Sequence, residues 1–181
     1  MIIFDLDGVL ANCEHRKHFV DPKKNEGVIE WRNTSTGKSD FGYGYENGEF
    51  KYWKPDWQSF YEACDKDEPI IPVILQFYAL VERYGIEHLH IWSGRCESVR
   101  DKTIQWVAKY LSDNLDLITY LKMRPVGDNT PLAQLQEKWL YEAIVADSEV
   151  QCIFSSGPAS IAMWRRRGIF VFDCRQHDGE F

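Results

Sequence analysis

Asp5 and Asp7 stand one residue apart in Phe4-Asp5-Leu6-Asp7-Gly8, directly behind the apolar run of residues 1–4. One carboxylate can act as a nucleophile, a second can give or take a proton, and the two together suit a hard cation. The run before them is short, apolar and β-branched at Ile2 and Ile3, which predicts a buried strand. Gly8 permits a sharp turn just after the pair. In a parallel α/β sheet, ligands bind beyond the carboxyl ends of the strands, so the pair is predicted at the edge where chemistry occurs. Ser93-Gly94-Arg95 follows a second apolar run, residues 89–92, in the same way.

The elements that must position these residues alternate between strand and helix. Asp56 is a good N-cap for a short helix over 56–64. Ile70, Val73, Ile74, Phe77, Leu80 and Val81 recur at helical spacing, predicting a helix over 69–84 that Gly85 ends. Further strands are predicted over 89–92, 117–123, 150–154 and 169–172, with helices over 99–111, 132–146 and 159–167. This order predicts an α/β fold: a three-layer sandwich with a parallel sheet wrapped by helices.

Residues 13–55 break the pattern. They carry Trp31, Phe41, Tyr43, Tyr45, Phe50, Tyr52 and Trp53, and Asn47-Gly48 between aromatic runs signals a hairpin. Residues 14–55 are therefore expected to form a β-rich cap inserted after the first strand, with the aromatics as its own small core. A cap at that position could close over the site and select the substrate. Residues 1–181 otherwise make one domain. His15, Arg16, Lys17 and His18, just past the aspartates, could form a wall facing a phosphate.

The hydrophobic fraction of 44% and net charge of −7 describe a chain with a full core and an acidic surface. Such a charge argues against coating nucleic acid by bulk electrostatics, and favours a small or short substrate. Cys13, Cys64, Cys96, Cys152 and Cys174 are scattered, without a paired spacing, which suits reduced thiols. The chain starts on its first strand and contains no apolar run long enough to cross a bilayer, so no membrane association and a cytoplasmic location are expected. Oligomeric state is not encoded legibly.

Asp5-Leu6-Asp7 and Ser93-Gly94-Arg95 together resemble the first two motifs of the haloacid dehalogenase (HAD) phosphatase superfamily. Residues 56–80, Trp92-Ser93-Gly94-Arg95, residues 123–131 and residues 163–169 are similar to the 3′-phosphatase domain of phage-type polynucleotide kinases, as is the end Gly179-Glu180-Phe181. No phosphate-binding P-loop of a kinase half occurs. The resemblance implies a HAD-like Rossmannoid fold and a phosphomonoester on a nucleotide or short nucleic-acid end as substrate. It implies that Asp5 attacks phosphorus and that Asp7 protonates the leaving oxygen, then activates water. It also implies a magnesium ion between Asp5, the Asp7 carbonyl and the phosphate, with Ser93 and the Gly94 amide on phosphate oxygens. Arg95 and Arg124 are further candidates for holding substrate.

Two positions depart from that pattern. The family's lysine after the Gly-Asp turn falls on Gln136, and Lys138 lies roughly 200° further round the helix, facing elsewhere. The paired acids expected after strand 150–154 are Ser155 and Ser156, weak magnesium ligands beside carboxylates. Asp147 and Glu149 precede that strand and belong to the wrong sheet edge, leaving Asp173, after the last strand, as the replacement acid. Two readings follow: a magnesium-dependent phosphatase with modified later motifs, or a degenerate relative that binds a phosphorylated nucleotide without turning it over.

Overall fold

The computed structural model describes residues 1–32, 37–111 and 118–175. The chain divides into two compact units, one of residues 1–12 and 67–181 and the other Cys13–Lys66.

In the first unit β1 (Ile2–Asp5) lies at the centre of a five-stranded sheet of order β10-β9-β1-β7-β8. β7 is Leu89–Cys96, β8 Leu121–Arg124, β9 Cys152–Ser155 and β10 Phe170–Asp173. Every pairing in this sheet is parallel. Both faces of a parallel sheet must be covered, and the side chains alternate accordingly. Phe4, Phe154 and Phe172 stack as a ladder across β1, β9 and β10, with ring centroids 4.2 and 4.5 Å apart, and Phe77 of α2 (Ile71–Tyr84) meets Phe4 edge-on. On the opposite face Ile3, Ile153 and Val171 join Trp92, Trp139 and Trp164, with α4 (Leu132–Val145) and α5 (Pro158–Arg166) above them. Burying each of these side chains contributes roughly 1.5–3 kcal/mol of transfer free energy. α3 is Arg100–Tyr110.

This alternation aims the candidate residues. Asp5 is two residues beyond Ile3, so it shares the face covered by α4. Ser155 is two residues beyond Ile153 and one beyond Phe154, the register partner of Phe4, so it lies next to Asp5 on the neighbouring strand.

The second strand of the sheet runs further than its apolar pattern suggested. β7 continues to Cys96, and its register with β8 slips between Ser93 and Cys96. Ser93-Gly94-Arg95 is therefore the bulged end of a strand and not a loop after one; a bulge re-aims side chains at a sheet edge. β8 begins at Leu121, later than expected; residue 117 and residues 179–181 lie outside the described residues. β2 (Ala11–Asn12) and β6 (Glu68–Pro69), the segments that flank the second unit in sequence, pair antiparallel.

The second unit contains a three-stranded antiparallel sheet of β3 (Ile29–Arg32), β4 (Ser39–Glu46) and β5 (Glu49–Tyr52). Asn47 and Gly48 both take positive φ, 52° and 84°, as a two-residue hairpin turn requires. α1 (Trp57–Glu62) starts where Asp56 accepts a hydrogen bond from the Ser59 amide at 2.9 Å. The expected aromatic core is only half present. Phe50 gathers Trp31, Tyr45 and Tyr52 around it, yet Tyr45 and Tyr52 remain 67% and 58% exposed, because three strands with one covered residue, Gly42, cannot enclose rings of that size. Of the residues expected to form a phosphate-facing wall, Arg16 is fully buried, bonded to the Phe60 carbonyl and stacked 4.1 Å from its ring, and Lys17 pairs with Glu14.

Candidate active site

The turn after β1 is tied to the Leu6 carbonyl, which accepts the amides of Leu10 and Ala11 at 3.0 and 2.9 Å. Gly8 takes φ 77° there, as the sharp turn demands. This fixes Asp5 on the strand and Asp7 on the turn, and the two carboxylates meet different surroundings.

Asp5 is buried and both its oxygens are occupied. Gln136 Nε2 donates to Oδ1 and Ser155 Oγ donates to Oδ2, each at 2.5 Å. Both donors are fully buried and neither carries a charge. Burial, opposed by these two bonds and reinforced by the Asp7 charge, raises the Asp5 pKa to about 7. Gln136 thus stands where the sequence pattern placed it, but its Oε1 is enclosed with no partner.

Asp7 accepts from Arg95 Nε at 2.8 Å, and Arg95 Nη2 lies 2.7 Å from the same oxygen. The guanidinium is fully buried and also donates to Asp67 at 2.6 Å through Nη2, while its Nη1 has no partner. Asp67 in turn is fixed by its carbonyl, which accepts from Trp106 Nε1 of α3 at 2.7 Å. Arg95, a candidate for holding substrate, is the centre of a buried Asp7–Arg95–Asp67 group.

The remaining candidates divide sharply. Ser93 is fully buried at the same strand end, and its Oγ accepts from the Arg95 amide at 3.2 Å, leaving the hydroxyl proton to donate. Gly94 lies under α4: a Cβ built there would come within 3.2 Å of Leu132. Arg124 braces this strand end. Its Nε donates to the Gly94 carbonyl at 3.0 Å and its Nη1 to the carbonyls of Asp128 and Thr130 at 3.2 and 2.6 Å. Lys138 is exposed on the outer face of α4, beside Gln134, Glu137 and Tyr141, so it does not stand in for the missing lysine.

Asp173 does not reach Asp5. It is in register with Ser155, one strand beyond, which puts its backbone roughly 10 Å from β1. Its carboxylate is held by Arg175 at 2.6 Å, with Arg165 at 3.9 Å. Arg166 and Arg167, at the end of α5, pair with Glu137.

Two residues near the site carried no signal in the sequence. Asp67 has no motif; only its approach to Arg95 across 28 residues gives it a part. Cys174 follows β10, its amide donates to the Ser155 carbonyl, and burial together with the charges of Asp5 and Asp173 pushes its thiol up to about 11.

The expected magnesium ion can be tested against this donor set. Magnesium takes hard oxygen donors, carboxylates above all. Serine hydroxyls occupy the places of the paired acids, and the side chains bonded to Asp5 are the uncharged Gln136 and Ser155. Among the described residues no three His, Cys, Asp or Glu gather closely enough to hold a metal ion. The residues present do not fit a magnesium site of the expected kind.

Comparison with known proteins agrees with the fold. The chain is similar to a solved structure of the Pnkp1/Rnl/Hen1 complex, with 21% identity and a TM-score of 0.60, over 98% of this chain and 46% of that one. It is also similar to a chain in the structure of the Pnkp1/Rnl/Hen1 RNA repair complex, with 19% identity and a TM-score of 0.59, over 98% of this chain and 42% of that one. The chain therefore spans less than half the length of these solved chains. No curated protein matches. The family model described as the polynucleotide kinase PNKP phosphatase domain matches residues 57–181; Asp5 and Asp7 precede that span and are joined to it through the pairing of β1 with β7 and β9. The five-stranded parallel sheet is that of a HAD-like Rossmannoid fold, and the chain belongs to the PNKP phosphatase-domain family.

Proposed function

We propose that this protein is a phosphomonoesterase acting on the phosphate of a nucleotide or a short nucleic-acid end through Asp5. One observation carries the reading: two carboxylates at the carboxyl edge of the central strand are held in opposite environments, one by neutral donors in a buried pocket, the other by a guanidinium. Paired groups with contrasting surroundings are the usual basis for dividing nucleophile from acid/base. An oxygen of Asp5 attacks phosphorus as the bond to the leaving oxygen breaks, and Asp7, which must first take up a proton at its carboxylate, gives that proton to the leaving oxygen. Water then attacks the aspartyl phosphate, its proton passes to Asp7, and phosphate leaves with Asp5 restored. Ser93 and the Gly94 amide are assigned to the phosphate oxygens.

The family supports a phosphomonoester as substrate. Both solved neighbours sit in complexes with Rnl and Hen1, one of them named for RNA repair, which favours a nucleic-acid end. The net charge of −7 favours a short one. Selection of that end by the Cys13–Lys66 unit, and a cytoplasmic location in keeping with free cysteines, belong to the same proposal. Among the described residues no helix is long and apolar enough to cross a membrane.

A second reading, binding without turnover, is favoured by Gln136 and Ser155, which place no positive charge beside the phosphate and leave Asp5 to meet an anion unaided. Phosphate release from 3′- and 5′-phosphorylated nucleotides and oligonucleotides, with wild type and Asp5→Asn, separates the two. Hydrolysis predicts release that rises with pH through about 7, as Asp5 ionises, and that falls at least about a thousandfold in the variant. Binding of the same oligonucleotides with no release by wild type at any pH selects the second reading.

A further inference from the structure

We infer that the Asp5 pocket receives its phosphate without a divalent cation, Asp5 being held by two uncharged donors, Gln136 and Ser155, where a metal site needs further acids. The inference rests on the reading that a phosphomonoester meets Asp5, and it concerns what accompanies that phosphate.

A cation bound at Asp5 needs an oxygen lone pair turned towards it. Here each carboxylate oxygen receives a proton-bearing donor at 2.5 Å, Gln136 Nε2 on one and Ser155 Oγ on the other. Each oxygen keeps a second lone pair, but a cation there would meet a fully buried amide and serine hydroxyl in place of further carboxylates. The two donors come from different elements, α4 and the end of β9, and they engage different oxygens, so they hold the carboxylate from both sides.

The cluster of acids that a metal ion would hold together is also missing. A pocket built of several carboxylates repels itself when its cation is removed. In this pocket Asp5 stands with serines and an amide, and the neighbouring Asp7 is paired with Arg95. Asp173, at the end of β10 beyond Ser155, is paired with Arg175. The Gln136 Oε1, next to Asp5, is enclosed without a hydrogen-bond partner. If the amide turned over, this oxygen could become a ligand, so Gln136 must be included in the test.

The experiment is a Mn²⁺ titration of the full chain, followed by the electron paramagnetic resonance of the free ion and by calorimetry. Variants are Asp5→Asn, Gln136→Leu, and Ser155→Asp with Ser156→Asp. Wild type is expected to take up no Mn²⁺ at millimolar concentration. The paired-acid variant is expected to gain affinity by at least about tenfold, because two carboxylates then face a hard ion. Micromolar Mn²⁺ binding by wild type that Asp5→Asn or Gln136→Leu abolishes overturns the inference. It stays falsifiable on wild type and Asp5→Asn alone if the paired-acid variant does not fold.

In parallel, a 3′-phosphorylated oligonucleotide is titrated in EDTA and in magnesium. Equal affinity within about twofold supports a cation-free site. Binding only with magnesium overturns the inference and leaves the phosphate reading standing. No binding in either solution, from a chain that also ignores Mn²⁺, overturns the phosphate reading itself.

Discussion

The two ends of the candidate site solve the same problem in opposite ways. Asp5 and Asp7 are two residues apart, yet one is held by neutral donors and the other by a shared guanidinium. On the Asp5 side, burial without a countercharge raises the carboxyl pKa to about 7. On the Asp7 side, Arg95 gives its charge to two acids at once and is itself sealed from solvent. Chain geometry explains the split. Asp5 is still on β1, so the pleat points it at α4 and β9, where Gln136 and Ser155 stand. Asp7 has entered the turn and meets Arg95, which the bulged end of β7 supplies. Rigidity at one end thus rests on neutral donors around a desolvated carboxyl, and at the other on a buried ion group.

Breaking the ionic end is expected to have the larger effect. Arg95→Met leaves Asp7 and Asp67 without their shared partner, and loss of one member of a buried ion group costs about 3–5 kcal/mol. Urea denaturation at pH 7 measures it; a loss below about 1 kcal/mol would show that the group is relaxed or hydrated.

The neutral end is expected to show itself through pH. A carboxyl at about 7 in the folded protein and near 3.8 when unfolded keeps its proton longer in the folded state. Its stabilising contribution is complete below about pH 4 and is lost as pH rises through 7. The loss is roughly 2–4 kcal/mol. Asp5→Asn removes that slope, so the variant gains on wild type as pH rises. Parallel curves of stability against pH for the two proteins would place Asp5 in a wetter setting than its burial indicates.

The smallest effect is expected at the join between the halves. Gly94→Ala puts a Cβ 3.2 Å from Leu132 Cδ1, a flexible side-chain end that can yield. The change should cost less than about 1 kcal/mol in thermal or urea unfolding. A larger loss would mean that α4 presses on the bulge more rigidly, tying the two ends together.

The sequence made the Asp5 end legible and the Asp7 end illegible. Asp5-Leu6-Asp7 is a contiguous motif behind a strand, and the offset of Gln136 from the Gly-Asp turn fixes which helical residue faces inward. Arg95 reads in the sequence as a substrate-holding residue because its second partner, Asp67, is set by the tertiary fold and has no motif of its own. Asp173 was proposed as a ligand because it ends a strand at the correct edge. Strand order is not written locally, and β9 stands between it and β1. Arg124 has the charge for a phosphate, and its charge gives no hint of the three carbonyls that take its Nε and Nη1 donors. The aromatics of residues 29–52 announced strands correctly and a closed core incorrectly, since hydrophobic content does not reveal how many strands share it.

The central claim is that a phosphate lies against Asp5. Equilibrium binding of orthovanadate, followed by calorimetry on wild type and Asp5→Asn at pH 8, tests it independently of turnover. At that pH Asp5 is mostly ionised and repels an anion, so the neutral variant should bind more tightly by about tenfold or more. Equal affinity in the two proteins would place the anion elsewhere and contradict the account.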